Sequence, residues 1–280
     1  MIDSGKLQRY LYTGPLANCI TEFLLYKRMT GYVYNAEGFY LGDIDRMSFQ
    51  LNTKSNCLPK EFVQLWALKR ITESHKTWSN RVVVIRKLAE FMRSQDFDAY
   101  VTPIVIKNRR SNFTPHIYTN SQLKQIFTQA DFCPSYTNCP NRNAVASLIF
   151  RMIYGCGLRL SEALNLNVRD VDLENGVLII LNSKFKTNRL TPMAPELTER
   201  CRFFYSALHL FSEPDAVFFP APDGGRYSQE AIGRTFHQIL SSAGISRTET
   251  GPRIHDLRNT HLNKIRTFFN ITDFVKVFGL

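Results

Sequence analysis

Tyr154-Gly155-Cys156-Gly157-Leu158-Arg159-Leu160-Ser161-Glu162-Ala163-Leu164-Asn165-Leu166 is the stretch around which the rest of the 280-residue sequence arranges itself. Just upstream, Leu148, Ile149, Met152 and Ile153 recur at helical spacing. Gly155 and Gly157 can take backbone angles closed to other residues, so they are expected to end that helix and turn the chain tightly. Ser161 is the expected N-cap of a following helix, with Glu162 in its first turn at the positive end of the macrodipole. Arg159 is thereby held in a short corner between two buried helices. A guanidinium fixed in such a corner suits two-pronged binding of a phosphate or a carboxylate. The competing reading is a structural ion pair with Glu162 or Asp170, and these residues alone leave both open.

Composition narrows the class. The chain is long enough for two domains, and 44% hydrophobic with 21% charged residues describes a globular rather than a disordered protein. No apolar run approaches a membrane span, and the first nine residues lack the apolar core of a secretory signal. An intracellular, cytoplasmic protein with no membrane contact is expected. The formal net charge is +11 and both halves are positive, which favours a polyanionic partner through counterion release. Six scattered cysteines without a CxxC pair suggest reduced thiols, no metal and no cofactor.

Apolar periodicity predicts helices over residues 15–30, 60–70 and 77–95, with a turn-rich stretch of glycines, Asp and Asn between 32 and 57. Residues 1–106 thus read as a small, basic, helical domain. Arg81, Arg86 and Lys87 on the third helix supply positive charge, as do Arg109 and Arg110 in a polar linker spanning 107–118. In 119–280 further helices are expected from 119, over 144–154, 195–211, 228–243 and 254–268. Two strands, 177–181 and 189–193, flank a lysine-bearing turn. The fold class is therefore mainly α, with a small antiparallel β-sheet in the second domain.

Three features remain: Arg159 in its glycine corner, Lys184 or Lys186 at the hairpin tip, and His255 with Arg258 on one helix face. In this order they resemble the tyrosine recombinase (phage integrase) family. Gly157-Leu158-Arg159-Leu160-Ser161-Glu162-Ala163-Leu164 resembles its first arginine box, and Asp170-Val171-Asp172 occupies the usual place after it. Lys184, before Arg189-Leu190-Thr191-Pro192, resembles the hairpin lysine, with Lys186 as fallback. His255-Asp256-Leu257-Arg258 resembles the HxxR box. The likeness covers residues 113–280. The N-terminal part matches the family's helical core-binding domain in size, helicity and charge.

The resemblance implies a two-domain DNA strand transferase, with a helical core-binding domain and an α+β catalytic domain acting on double-stranded DNA. A tyrosine would attack a phosphodiester to give a 3′-phosphotyrosine and a free 5′-hydroxyl, with no metal. Arg159 and Arg258 would clamp the phosphate, Lys184 would protonate the leaving oxygen, His255 would assist at the nucleophile or hold the phosphate, and Glu162 would hold Arg159 or His255. Arg81, Arg86, Lys87, Arg109 and Arg110 are the expected DNA-binding residues outside that site. Asn259 stands where many relatives carry a histidine and is expected to be structural. Phe278-Gly279-Leu280 resembles the start of the family's Leu-Gly-His element, and no tyrosine follows Tyr227. The expectation is a chain truncated before its nucleophile and inactive alone. It would be monomeric, whereas full-length relatives act as tetramers. A DNA-binding accessory or decoy factor is the alternative, and a metal-free nuclease the third reading.

Overall fold

The computed structural model describes residues 11–103, 114–181, 188–246, 248 and 251–268, and it divides into two compact units, Met1–Ser111 and Asn112–Leu280. The first unit holds α1 (Ala17–Met29), α2 (Asn35–Gln50), α3 (Lys60–Ala67) and α4 (His75–Ser94). A two-residue parallel pair, β1 (Cys57–Leu58) with β2 (Asp98–Ala99), ties the approach to α3 to the segment after α4. Ile20, Phe23, Leu41, Ile44, Phe62, Trp66, Ile85, Leu88 and Met92 form its core. Ser74 caps α4 by accepting the Thr77 N–H.

α2 corrects the expected turn-rich stretch. Its glycines and polar residues are poor helix formers, yet Gly38, Leu41, Ile44, Asp45 and Ser48 fall on one buried face. The Asp45 carboxylate accepts the backbone N–H groups of Thr13 and Gly14, both at 2.8 Å, which fixes that face against the segment leading into α1. Tertiary burial here outweighs local propensity.

In the second unit α5 (Asn120–Asp131), α6 (Arg142–Gly155), α7 (Leu160–Asn165), α8 (Pro195–Leu208), α9 (Gln229–Ser242) and α10 (Ile254–Phe268) surround one core. α6 is its centre and packs on α5, α7, α8, α9 and α10. β3 (Val171–Asp172), β4 (Val177–Ile180) and β5 (Arg189–Pro192) make a three-stranded antiparallel sheet in which Ile180 faces Arg189. The molecule is thus mainly α with a small antiparallel sheet in its second unit. Thr119 and Gln122 form a reciprocal capping box at α5. Tyr118 is buried, donating its N–H to Thr260 and its hydroxyl to the Arg253 carbonyl. The last residue of the expected linker, Tyr118, therefore belongs to this core. Among the described residues no helix is long and apolar enough to cross a membrane.

Candidate functional site

The glycine corner forms with one change from expectation. Of the two glycines only Gly157 is left-handed (φ +59°), and the Leu158 N–H closes on the Ile153 carbonyl at 3.1 Å, a Schellman-type stop to α6. Gly155 stays helical. A Cβ on Gly157 would stand 2.8 Å from His261 Cδ2, so glycine is required for the backbone angle and for the close approach of α10. α7 begins at Leu160, and Arg159, not Ser161, is its N-cap. Glu162 reaches back to accept the Arg159 N–H at 2.8 Å, which satisfies the helix end and leaves Ser161 inside the first turn.

Around Glu162 three arginines converge. Its carboxylate, 5% exposed, accepts Arg159 Nη1 at 2.5 Å and Arg189 through Nη2 at 2.7 Å and Nη1 at 3.1 Å. Arg258 Nη1 lies 3.7 Å away and donates to the Gly157 carbonyl. Arg159 and Arg189 each remain 34% exposed, Arg258 17%. Three guanidinium groups thus gather around one buried carboxylate beside a surface. Burial first, and then Arg159, lower the pKa of Arg258, with Glu162 opposing and Arg189 adding to the shift. Asp170, the other carboxylate considered for Arg159, instead caps the backbone N–H of Asn167.

Sequence reasoning did not single out Arg189 as a site residue. The signal was strand alternation: in β5 Arg189 and Thr191 are half-buried, whereas Leu190 is 70% exposed. A half-buried arginine just past a lysine-bearing turn faces the same carboxylate as the arginine box.

α10 repeats the corner's capping device. Asp256, fully buried, accepts the Arg253 N–H at 2.9 Å through one oxygen and Asn259 Nδ2 at 3.1 Å through the other. Asn259 thus braces the start of the helix. His255 reaches the surface, but its pKa is lowered, chiefly by partial burial and then by Arg258. Asp256 opposes that shift, and Arg253 and Arg159 reinforce it. A cleft of about 450 Å³ is lined by Arg159, Leu160 and Ser161 from the start of α7, Arg253, Ile254 and His255 from the start of α10, and Gln229 and His237 from α9. Arg159, Glu162, His255 and Arg258 therefore lie together, and a phosphate-sized anion fits both the charge and the donor set.

Other expected residues lie elsewhere. Arg81 is a correction: it is buried, pairs with Glu73 at 2.8 and 2.9 Å, donates to the Trp66 and Leu68 carbonyls and lies 4.9 Å over the Trp66 ring. Its charge is consumed inside the first unit and is not offered to DNA. Arg86 donates to the Thr102 carbonyl, and Lys87 makes an exposed pair with Glu90. Lys184, Lys186, Arg109, Arg110 and the C-terminal segment lie outside the described residues. Among the described residues no cluster of three His, Cys, Asp or Glu could hold a metal ion.

The same architecture occurs in known proteins. A Sinorhizobium fredii protein named as an integrase/recombinase, y4rB, is 26% identical over 234 residues, covering 79% of this chain and 74% of its own. The tyrosine recombinase XerC of Proteus mirabilis is 30% identical over 115 residues, 41% of this chain and 37% of that protein. The chain therefore spans three-quarters of the first relative and little more than a third of the second. Among solved structures, the XerH site-specific recombinase bound to its difH substrate before cleavage superposes with a TM-score of 0.65 at 17% identity, covering 93% of this chain and 88% of that one. The Tn1549 transposon integrase with transposon right-end DNA gives 0.58 at 18%, covering 89% and 87%. These two share the fold. Residues 117–266, more than half of the sequence and the whole setting of the cleft, match the profile of the phage integrase family, and the chain belongs to that family.

Proposed function

We propose that the chain is the DNA-holding part of a site-specific tyrosine recombinase, with its second unit binding the phosphodiester to be cut. The observation that carries this reading is the stoichiometry at Glu162: one buried carboxylate, three guanidinium groups, and an open cleft beside them. In strand transfer a tyrosine oxygen bonds to phosphorus, the bond to the 5′-oxygen breaks, and charge grows on the non-bridging oxygens. Preorganised cations stabilise that charge without reorganisation. Arg159 and Arg258 fill this role, Glu162 holds them, and His255 serves the phosphate or the nucleophile's proton. Lys184, or Lys186 if the hairpin register is shifted, protonates the departing oxygen. The first unit acts as the core-binding domain, with Arg86 and Lys87 and the linker residues Arg109 and Arg110 on the DNA backbone.

A second reading is a DNA-binding accessory or decoy factor that holds the duplex without cutting it. Both readings expect duplex binding that weakens steeply with salt. Both are tested by incubating the 280-residue polypeptide with nicked suicide duplexes and resolving products under denaturing conditions, where a covalent adduct would sink the second. Binding without a covalent adduct is the expected outcome. An adduct would show that a tyrosine present in this stretch attacks, and no duplex binding at low salt would sink the DNA reading altogether.

A further inference from the structure

The three guanidinium groups at Glu162 are not bound alike. Arg189 spans both carboxylate oxygens, with Nη2 at 2.7 Å from Oε2 and Nη1 at 3.1 Å from Oε1. Arg159 meets the same two oxygens with different groups: its Nη1 stands 2.5 Å from Oε1 and its backbone N–H 2.8 Å from Oε2. Arg258 stands farther off, 3.7 Å from Oε2, and gives Nη1 to the Gly157 carbonyl. Arg189 is therefore the two-pronged partner of the carboxylate, the geometry in which a guanidinium pairs most strongly. A carboxylate with 5% exposure needs such a partner. The two arginines that share its oxygens come from different elements. Arg159 caps α7, whereas Arg189 opens β5, where it faces Ile180 across the ladder. Glu162 thus fastens the strand to the arginine corner, and Arg159 in turn lines the cleft.

We infer that Arg189 is a positioning residue for strand transfer: it neutralises Glu162 and so sets how strongly that carboxylate draws on Arg159, without touching a phosphate itself. The inference rests on the DNA reading above and gives a part to an arginine which that reading leaves unassigned. With Arg189 in place, the charge of Glu162 is met by a partner that spans both oxygens, and the Arg159 guanidinium is oriented rather than neutralised. Without Arg189, the buried carboxylate turns to Arg159 and Arg258 for compensation, and both hold an anion less well. A lysine in its place keeps the charge but loses the fork.

A double-mutant cycle on duplex affinity tests this, with a fluorescent mixed-sequence duplex titrated over a series of NaCl concentrations. Arg189→Gln is expected to weaken binding about tenfold while Glu162 is present. In the Glu162→Gln background the same change should cost less than about twofold, because the carboxylate through which Arg189 acts is gone. Salt dependence supplies a readout that a merely structural role would not move. One phosphate contact contributes about 0.9 to the slope of log affinity against log salt, so adding Arg189→Gln to Glu162→Gln should leave the slope unchanged. Equal losses in the two backgrounds, or a slope shallower by about 0.9 in the double variant, would overturn the inference, since Arg189 would then meet a phosphate directly. An Arg189→Gln protein that binds like its parent counts against it as well. Arg189→Lys is expected to fall between the parent and Arg189→Gln. If circular dichroism shows that Arg189→Gln does not fold, the cycle is read from Arg189→Lys by the same criteria. A parental protein whose binding ignores salt would instead sink the DNA reading itself.

Discussion

Two arginine–glutamate associations in this molecule share a buried carboxylate and differ in consequence. Arg81 and Glu73 are both nearly buried, at 2% and 5% exposure, and they are matched one to one. The guanidinium spends its remaining donors on the Trp66 and Leu68 carbonyls and its face on the Trp66 ring. Glu162 is as deeply buried as Glu73, but it is shared among Arg159, Arg189 and Arg258, of which two stay one-third exposed. The first arrangement is closed in charge and in donors. The second gathers three cations on one carboxylate at a surface, an arrangement suited to accepting an anion. Burial of the carboxylate is common to both, so cation count and cation exposure are what separate a structural pair from a binding site.

The contrast can be broken most directly by truncation. Arg81→Ala leaves Glu73 buried without its partner and is expected to cost roughly 3–5 kcal/mol in urea denaturation, whereas Arg159→Ala should cost about 1 kcal/mol or less. Equal losses would erase the distinction. The closed pair is also acid-sensitive. Its hydrogen bonds from Arg81 hold Glu73 below the usual carboxylate pKa, so its stabilisation is full above pH 4.5 and is lost as pH falls further.

Glu162→Gln sharpens the contrast at a smaller scale. Removing the shared charge should destabilise the protein by about 1–3 kcal/mol, and millimolar inorganic phosphate should restore part of the loss by taking the carboxylate's place. Glu73→Gln should show no such recovery, because no anion can enter beside Arg81. Recovery in both variants, or in neither, would mean that the two environments are not different in kind.

The smallest effect concerns protons. His209, His255 and His261 all have lowered pKa values, each mainly through burial. As pH drops below 6.5 the unfolded chain takes up these protons first, so acidification should weaken the second unit. A DNA phosphate beside His255 acts in the opposite direction by favouring the charged ring. Duplex affinity at fixed salt should therefore rise modestly from pH 7.5 to 6, and His255→Asn should flatten that rise. A pH-independent parental affinity would remove His255 from the phosphate's surroundings.

Much of the second unit was legible because its signals are local. Gly157 needs a left-handed angle, Thr119 starts its helix, and the apolar run of β4 follows a Glu174-Asn175-Gly176 turn, each within a few residues. α2 was not legible. Its burial depends on Asp45 capturing Thr13 and Gly14 more than thirty residues upstream, which no window of sequence displays. Arg81 misled for a related reason: on a helical wheel it looks like any surface cation, and only α3 and Glu73 folding onto it conceal it. Arg189 was missed in the converse way. It was read as part of a strand, and its role depends on a carboxylate 27 positions earlier.

Gly157 has no side chain with which to touch a ligand, yet it sets a spacing that the site depends on. His261 presses into the room its missing Cβ leaves, and its carbonyl receives Arg258. Adding a single methyl group there would wedge α10 outward and carry Arg258 with it. In a saturation mutagenesis screen for DNA cleavage or binding, the sharpest intolerance in this segment would fall on a residue with no chemistry of its own. Functional mapping by reactive side chains alone would pass over the position that holds the others in place.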